Sequence, residues 1–143
     1  MKLTLTPARK IMGRLAKGDD LLLALEKCAQ ELGITLGEVQ AIGAVTQARV
    51  GYYDQVARKY LFLDFPGPQE IVSLVGNISL KDDRPFVHAH ITLADQDGRA
   101  RGGHLASGTL VFACEFWMQE YLSEASLERG FDEETGLFLW PQT

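Results

Sequence analysis

The only imidazoles in the chain, His88, His90 and His104, all fall within PFVHAHITLADQDGRARGGHL, Pro85 to Leu105. Neutral imidazole is a good ligand for zinc and related divalent ions. Three protein nitrogens would leave a coordination position for water, a carboxylate or a group from another subunit. An open position is what a catalytic or ligand-binding metal needs, whereas a structural metal is usually closed off. The competing interpretation is three ordinary hydrogen-bonding histidines.

Whether the three meet depends on the elements that carry them. His88 and His90 are two residues apart, so on a strand they share one face, and Val87, Ala89, Ile91 and Leu93 take the other. A three-residue loop, Gln96-Asp97-Gly98 with Gly98 left-handed, would set Asp95 opposite Arg99 and His90 opposite His104. A two-residue Asp97-Gly98 turn would shift the register by one and send His104 to the opposite face. The first register places Arg99 and Arg101 on the apolar face, and a bulge at Gly102-Gly103 would relieve this by resetting the parity before His104. Convergence is the favoured expectation, giving a divalent metal site, zinc first, at His88, His90 and His104.

Glu115 is a further candidate. It interrupts the apolar run LVFACEFWM and could serve as a fourth ligand or a general base, or could pair with Arg99 or Arg101 across strands. Asp95 and Asp97 suit turn chemistry. GRARGG lacks the strand and helix that a phosphate-binding loop requires. Tyr52, Tyr53, Phe62 and Phe65 read as packing groups, because no basic residues are interleaved among them to form a base-stacking surface.

The supporting frame is α+β: a single domain with a largely antiparallel sheet packed against one main helix. Leu21, Leu22, Leu25, Ala29 and Leu32 form one stripe at helical spacing, with Asp19 or Asp20 as N-cap and Gly33 as stop, so a helix is expected over about 19–32. A first strand is expected over Ala8 to Lys17. Short apolar runs then follow: EVQAIGAVTQARVGYYD with a bend at Gly43, KYLFLDF, a PGPQ turn, EIVSLVGNISL, the two arms of the histidine hairpin, and TLVFACEFWMQEYL. The domain is taken as residues 1–143, with a core over about 8–120. In its tail, 121–143, Leu137 to Trp140 should dock on this subunit or on a neighbour.

Composition narrows the partners. The 143 residues carry a formal net charge of −5, which disfavours nonspecific nucleic-acid binding although local patches at Arg49, Arg58 and Lys59, or at Arg99 and Arg101, are conceivable. Cys28 and Cys114 stand apart, in no metal or redox spacing. No apolar run approaches a membrane span and no leader is evident, so a cytoplasmic location is expected.

Taken in order, GDDLLLALEKCAQELGI, IGAVTQARVGYYD, EIVSLVGNISL, PFVHAHITLAD, GGHL and GTLVFACEF resemble the plants-and-prokaryotes conserved domain. The resemblance spans about residues 8–120, and the H-x-H and G-G-H-L pieces are its most specific part. It implies an α+β domain that assembles into homotrimers, with His88, His90 and His104 as metal ligands. It also implies a regulatory role in which prokaryotic members carry a DNA-binding label without a settled activity. The chain departs from the plant pattern: it has no Arg-Gly-Arg-Pro hook, and the plant hexapeptide Gly-Arg-Phe-Glu-Ile-Leu is here Gly67 to Val72, GPQEIV. The alternative expectation is a metal-dependent enzyme, a small zinc hydrolase, with Glu115 or an acidic residue of a neighbouring subunit as base.

Overall fold

The computed structural model of the protein describes residues 2–142. Strand β1 (Thr6–Leu15) leads into helix α1 (Leu21–Leu32), followed by β2 (Gly37–Asp54), β3 (Lys59–Lys81), β4 (Arg84–Ala94), β5 (Ala100–Leu105) and β6 (Leu110–Leu122). A small hairpin, β7 (Gly130–Asp132) and β8 (Leu137–Leu139), completes the chain. The six long strands form one antiparallel sheet in the order β1-β6-β2-β3-β4-β5. β2 also pairs with β5, so β2, β3, β4 and β5 close into a barrel-like ring.

The helix forms as its pattern predicts. Asp20 is the N-cap, its side chain accepting from the Leu23 amide, and Gly33 ends the helix at φ 68°. Asp20 also accepts from the Ser107 hydroxyl at 2.8 Å and the Gly108 amide at 2.7 Å, which ties the helix start to the β5–β6 turn. Leu21, Leu25 and Ala29 are fully buried, and the helix packs on β4. Alternate residues of the strands supply the rest of the core, among them Val39, Val50, Leu74, Ile78, Val87, Ile91, Leu93, Leu105 and Met118. Cys28 and Cys114 are both free thiols.

Two expectations about the strands need correction. PGPQ is not a turn, because β3 runs through it as a single strand. The long partner β2 holds the direction on both sides, with Val45 opposite Gln69 and Gln47 opposite Pro66, and Gly67-Pro68 is taken up as an irregularity with Gly67 at φ 85°. No bulge forms at Gly102-Gly103 either, since the β4–β5 register is uninterrupted from Ala94–Ala100 to His90–His104. Arg101 does fall on the inward parity, opposite Leu93, but at the end of the ring it engages Asp95 and lies 5.1 Å from the centroid of Phe65. A charged pair and an aromatic face satisfy the guanidinium there, so the strand keeps its parity.

The tail docks on this same chain. The Trp140 indole donates to Ser79 Oγ at 3.1 Å, Tyr53 donates to the Thr135 carbonyl at 2.7 Å, and Leu80 bridges to Glu128. Among the described residues no helix is long and apolar enough to cross a membrane.

Candidate metal centre

Turn chemistry sets the histidine geometry. The Asp95 carboxylate accepts from the amides of Asp97 and Arg99, each at 3.0 Å, and Gly98, at φ 74°, donates to the Asp95 carbonyl at 2.9 Å. This is the three-residue loop, with Gly98 as the left-handed residue. It places His90 directly opposite His104, with His88 one outward position along β4.

The three rings converge. Their centroids are 5.4 Å apart for His88 and His90, 5.0 Å for His88 and His104, and 5.5 Å for His90 and His104. One ring nitrogen from each lies within 4.8 Å of the other two. Zinc–nitrogen bonds of about 2.0–2.1 Å put tetrahedral ligands about 3.3 Å apart, so small side-chain rotations would close the set. Tyr60 packs its ring 5.1 Å from that of His104, in space that Gly51 leaves free, since a Cβ on Gly51 would come within 2.9 Å of the Tyr60 ring.

Electrostatics favour the neutral imidazole at His104 and His88. Burial, then His88, His90 and Arg129, hold the His104 pKa down to about 4. His88 is lowered by burial, Arg129 and His90 in that order. Nδ1 of His104 is buried without a hydrogen-bond partner, and such an atom calls for a ligand, an ion or a water. Neutral imidazoles with an orphaned nitrogen fit a divalent cation. His88, His90 and His104 would hold such a metal, which would supply a Lewis-acidic centre.

Glu115 is not part of this group. It lies exposed on β6, between Arg14 of β1 and Ile42 of β2. Nor does it pair with the arginines expected for it, because Arg101 engages Asp95 and Arg99 lies 3.6 Å from Asp97. Residues the sequence did not single out stand closer. Asn77 faces His88 across β3 and β4, and Glu38 faces Asn77 across β2 and β3. Arg129, 7% exposed, donates to Asn77 Oδ1 at 2.7 Å. Nothing in the local pattern SLERGF marks that arginine, since its side-chain partners Ser79 and Asn77 lie 50 and 52 residues away in sequence. A cleft of about 660 Å³ opens beside His88 and Arg129.

A model of the Plants and Prokaryotes Conserved (PCC) domain matches residues 3–122. A metal-containing protein of Archaeoglobus fulgidus is 43% identical, with a TM-score of 0.92 over 99% of this chain and 100% of that one. A plant- and prokaryote-conserved protein of Pyrococcus horikoshii is 32% identical, with a TM-score of 0.94 over 100% and 98% of the two chains. A protein of Bacteroides thetaiotaomicron, provisionally described as DNA-binding, is 26% identical, with a TM-score of 0.85 over 96% of each chain. Among curated sequences, the bifunctional protein GlmU of Synechococcus is 38% identical over 100 residues, 69% of this chain, but the chain spans only 15% of that protein's length. With residues 3–122 matched, the chain belongs to the Plants and Prokaryotes Conserved domain family.

Proposed function

We propose that this domain is a metal-binding regulatory module in which His88, His90 and His104 hold one divalent ion, zinc first, with a coordination position left open. The observation that carries this reading is the convergence of one ring nitrogen from each imidazole to within 4.8 Å of the others, beside which His104 Nδ1 is buried with no hydrogen-bond partner among the described residues. The metal-containing relative from A. fulgidus adds support. Metal analysis of protein purified without a metal-affinity tag tests it. About one ion per chain, lost in His104→Ala, is expected; an equal metal content in both proteins would sink the assignment.

The module is proposed to work as a homotrimer, as the family resemblance implies. A light-scattering mass of one chain would remove that part. DNA contact through this domain's own arginines is disfavoured. The chain is acidic, and Arg49, Arg99 and Arg101 each sit against a carboxylate, Asp64, Asp97 and Asp95. A regulatory role on DNA therefore predicts weak affinity that falls steeply with salt, and affinity that ignores salt would count against it.

A metal-dependent hydrolase is the second reading, favoured by one observation. Glu38 shares the row Glu38–Asn77–His88, two strands from His88, and lines the same cleft, so one subunit presents a carboxylate to the cleft that His88 enters. Zinc-dependent ester hydrolysis abolished by Glu38→Gln would support it, and equal rates in the two proteins would exclude this base.

A further inference from the structure

Arg129 is a cation buried among neutral acceptors. Its Nε donates to Ser79 Oγ at 2.9 Å, Nη1 to the Phe138 carbonyl at 3.2 Å, and Nη2 to Asn77 Oδ1 at 2.7 Å. These acceptors are all neutral, and among the described residues no carboxylate lies within ion-pair distance of the guanidinium. A guanidinium has five N–H donors, so part of its donor capacity remains. Taking a charge out of water is costly unless an opposite charge or strong hydrogen bonds replace the water. A metal at the neighbouring histidines would raise the positive charge further, since neutral imidazoles offset none of it.

The space beside Arg129 is apolar. Leu36, Leu127, Leu139 and Trp140 line the cleft that runs from His88 and Arg129, and its volume of about 660 Å³ suits a small molecule. Among the described residues one carboxylate lines it, Glu38, which is exposed.

We infer that Arg129 and this cleft form a binding site for a small oxyanion with an apolar tail, its carboxylate or phosphate head between Arg129 and the metal position and its tail along Leu36, Leu127 and Trp140. The head-group contact to the metal rests on the proposed metal reading, whereas the Arg129 contact does not. Recognition would be a charge-assisted hydrogen bond at one end and hydrophobic burial along the other.

Calorimetric titration of the full chain, metal-loaded and chelator-stripped, tests this with octanoate, octyl phosphate, octanol and acetate. Octanoate or octyl phosphate should bind both forms, the loaded one more tightly, and the stronger of the two identifies the head. Acetate and octanol should each bind at least about tenfold more weakly, having only one half of the recognition. Arg129→Gln should lose about tenfold or more for the anion and leave octanol unchanged. These comparisons among ligands on the unaltered protein need no variant to fold. Octanol binding as well as octanoate overturns the site. So does failure of both anions to bind a protein that carries one metal per chain, which leaves the metal reading standing. Anion binding by a protein that takes up no metal would retain the Arg129 site and remove the metal reading instead.

Discussion

Gly102→Ala should both loosen the ring and disarm the histidine cluster. A Cβ at Gly102 would sit 2.0 Å from the Ile91 carbonyl oxygen and 3.1 Å from its carbon, and both atoms are backbone, so no side-chain rotation relieves the clash. β5 must move off β4 by about 1 Å, which stretches ladder hydrogen bonds beyond useful length. About two such bonds at about 1 kcal/mol each are lost around the Thr92–Gly102 pair, and crowding adds about 1–3 kcal/mol. The sum is about 3–5 kcal/mol, or a fall in Tm of roughly 6–20 °C for a chain of this size. His104 stands two residues further along the displaced strand, opposite His90, so zinc affinity should fall about 10–100-fold, as when a ligand loses its support. Thermal unfolding followed by circular dichroism, and zinc competition against a chromophoric chelator, measure the two effects. Gly98→Ala is the control. Its Cβ would meet nothing within 4 Å, so only the positive φ of 74° is penalised, about 1 kcal/mol, and the histidines keep their register. A G102A protein that melts with the wild type and binds zinc equally well would refute the close β4–β5 approach on which the convergence depends.

Other outcomes follow from the same contacts. In the metal-free protein His104 has a pKa of about 4, against about 6.5 when unfolded, so between those values the unfolded chain binds more protons. Stability should then be complete above about pH 6.5 and roughly 2 kcal/mol lower at pH 5; urea unfolding in chelator should give this slope, and His104→Gln should flatten it. Asp20→Ala removes the helix cap and the tie to Ser107 and Gly108, and should cost about 2 kcal/mol in the same assay; a loss under about 0.5 kcal/mol would mean the tie contributes nothing. Zinc at about 100 times its Kd should stabilise the wild type by about 2.7 kcal/mol and His104→Ala by far less.

Local chemistry was legible in the sequence, whereas long-range closure was not. The Leu21–Ala29 stripe, Asp20 and Gly33 carry the helix within fifteen residues, and the alternation around His88 and His90 assigns their face. The hairpin register stayed open because it turns on one loop residue, and Asp95 decides it by accepting from both Asp97 and Arg99. The fate of Arg101 depended on Phe65, from a distant strand, so parity alone suggested a bulge that does not form. Pro66-Gly67-Pro68 imitates a turn because its chemistry is that of turns, yet pairing with β2 on both sides overrides it. Glu115 drew notice as a charge in an apolar run, but its strand lies elsewhere in the sheet, next to β1 and β2. Arg129 carried no motif, because its significance comes only from Asn77 and Ser79 across the fold.

The most direct measurement is a crystal structure of zinc-loaded protein with diffraction collected on both sides of the zinc absorption edge. An anomalous peak about 2.0–2.1 Å from one nitrogen each of His88, His90 and His104, with a non-protein atom completing the shell, is the expected result. A peak held by other residues, or none among these three at full zinc loading, would contradict the metal centre.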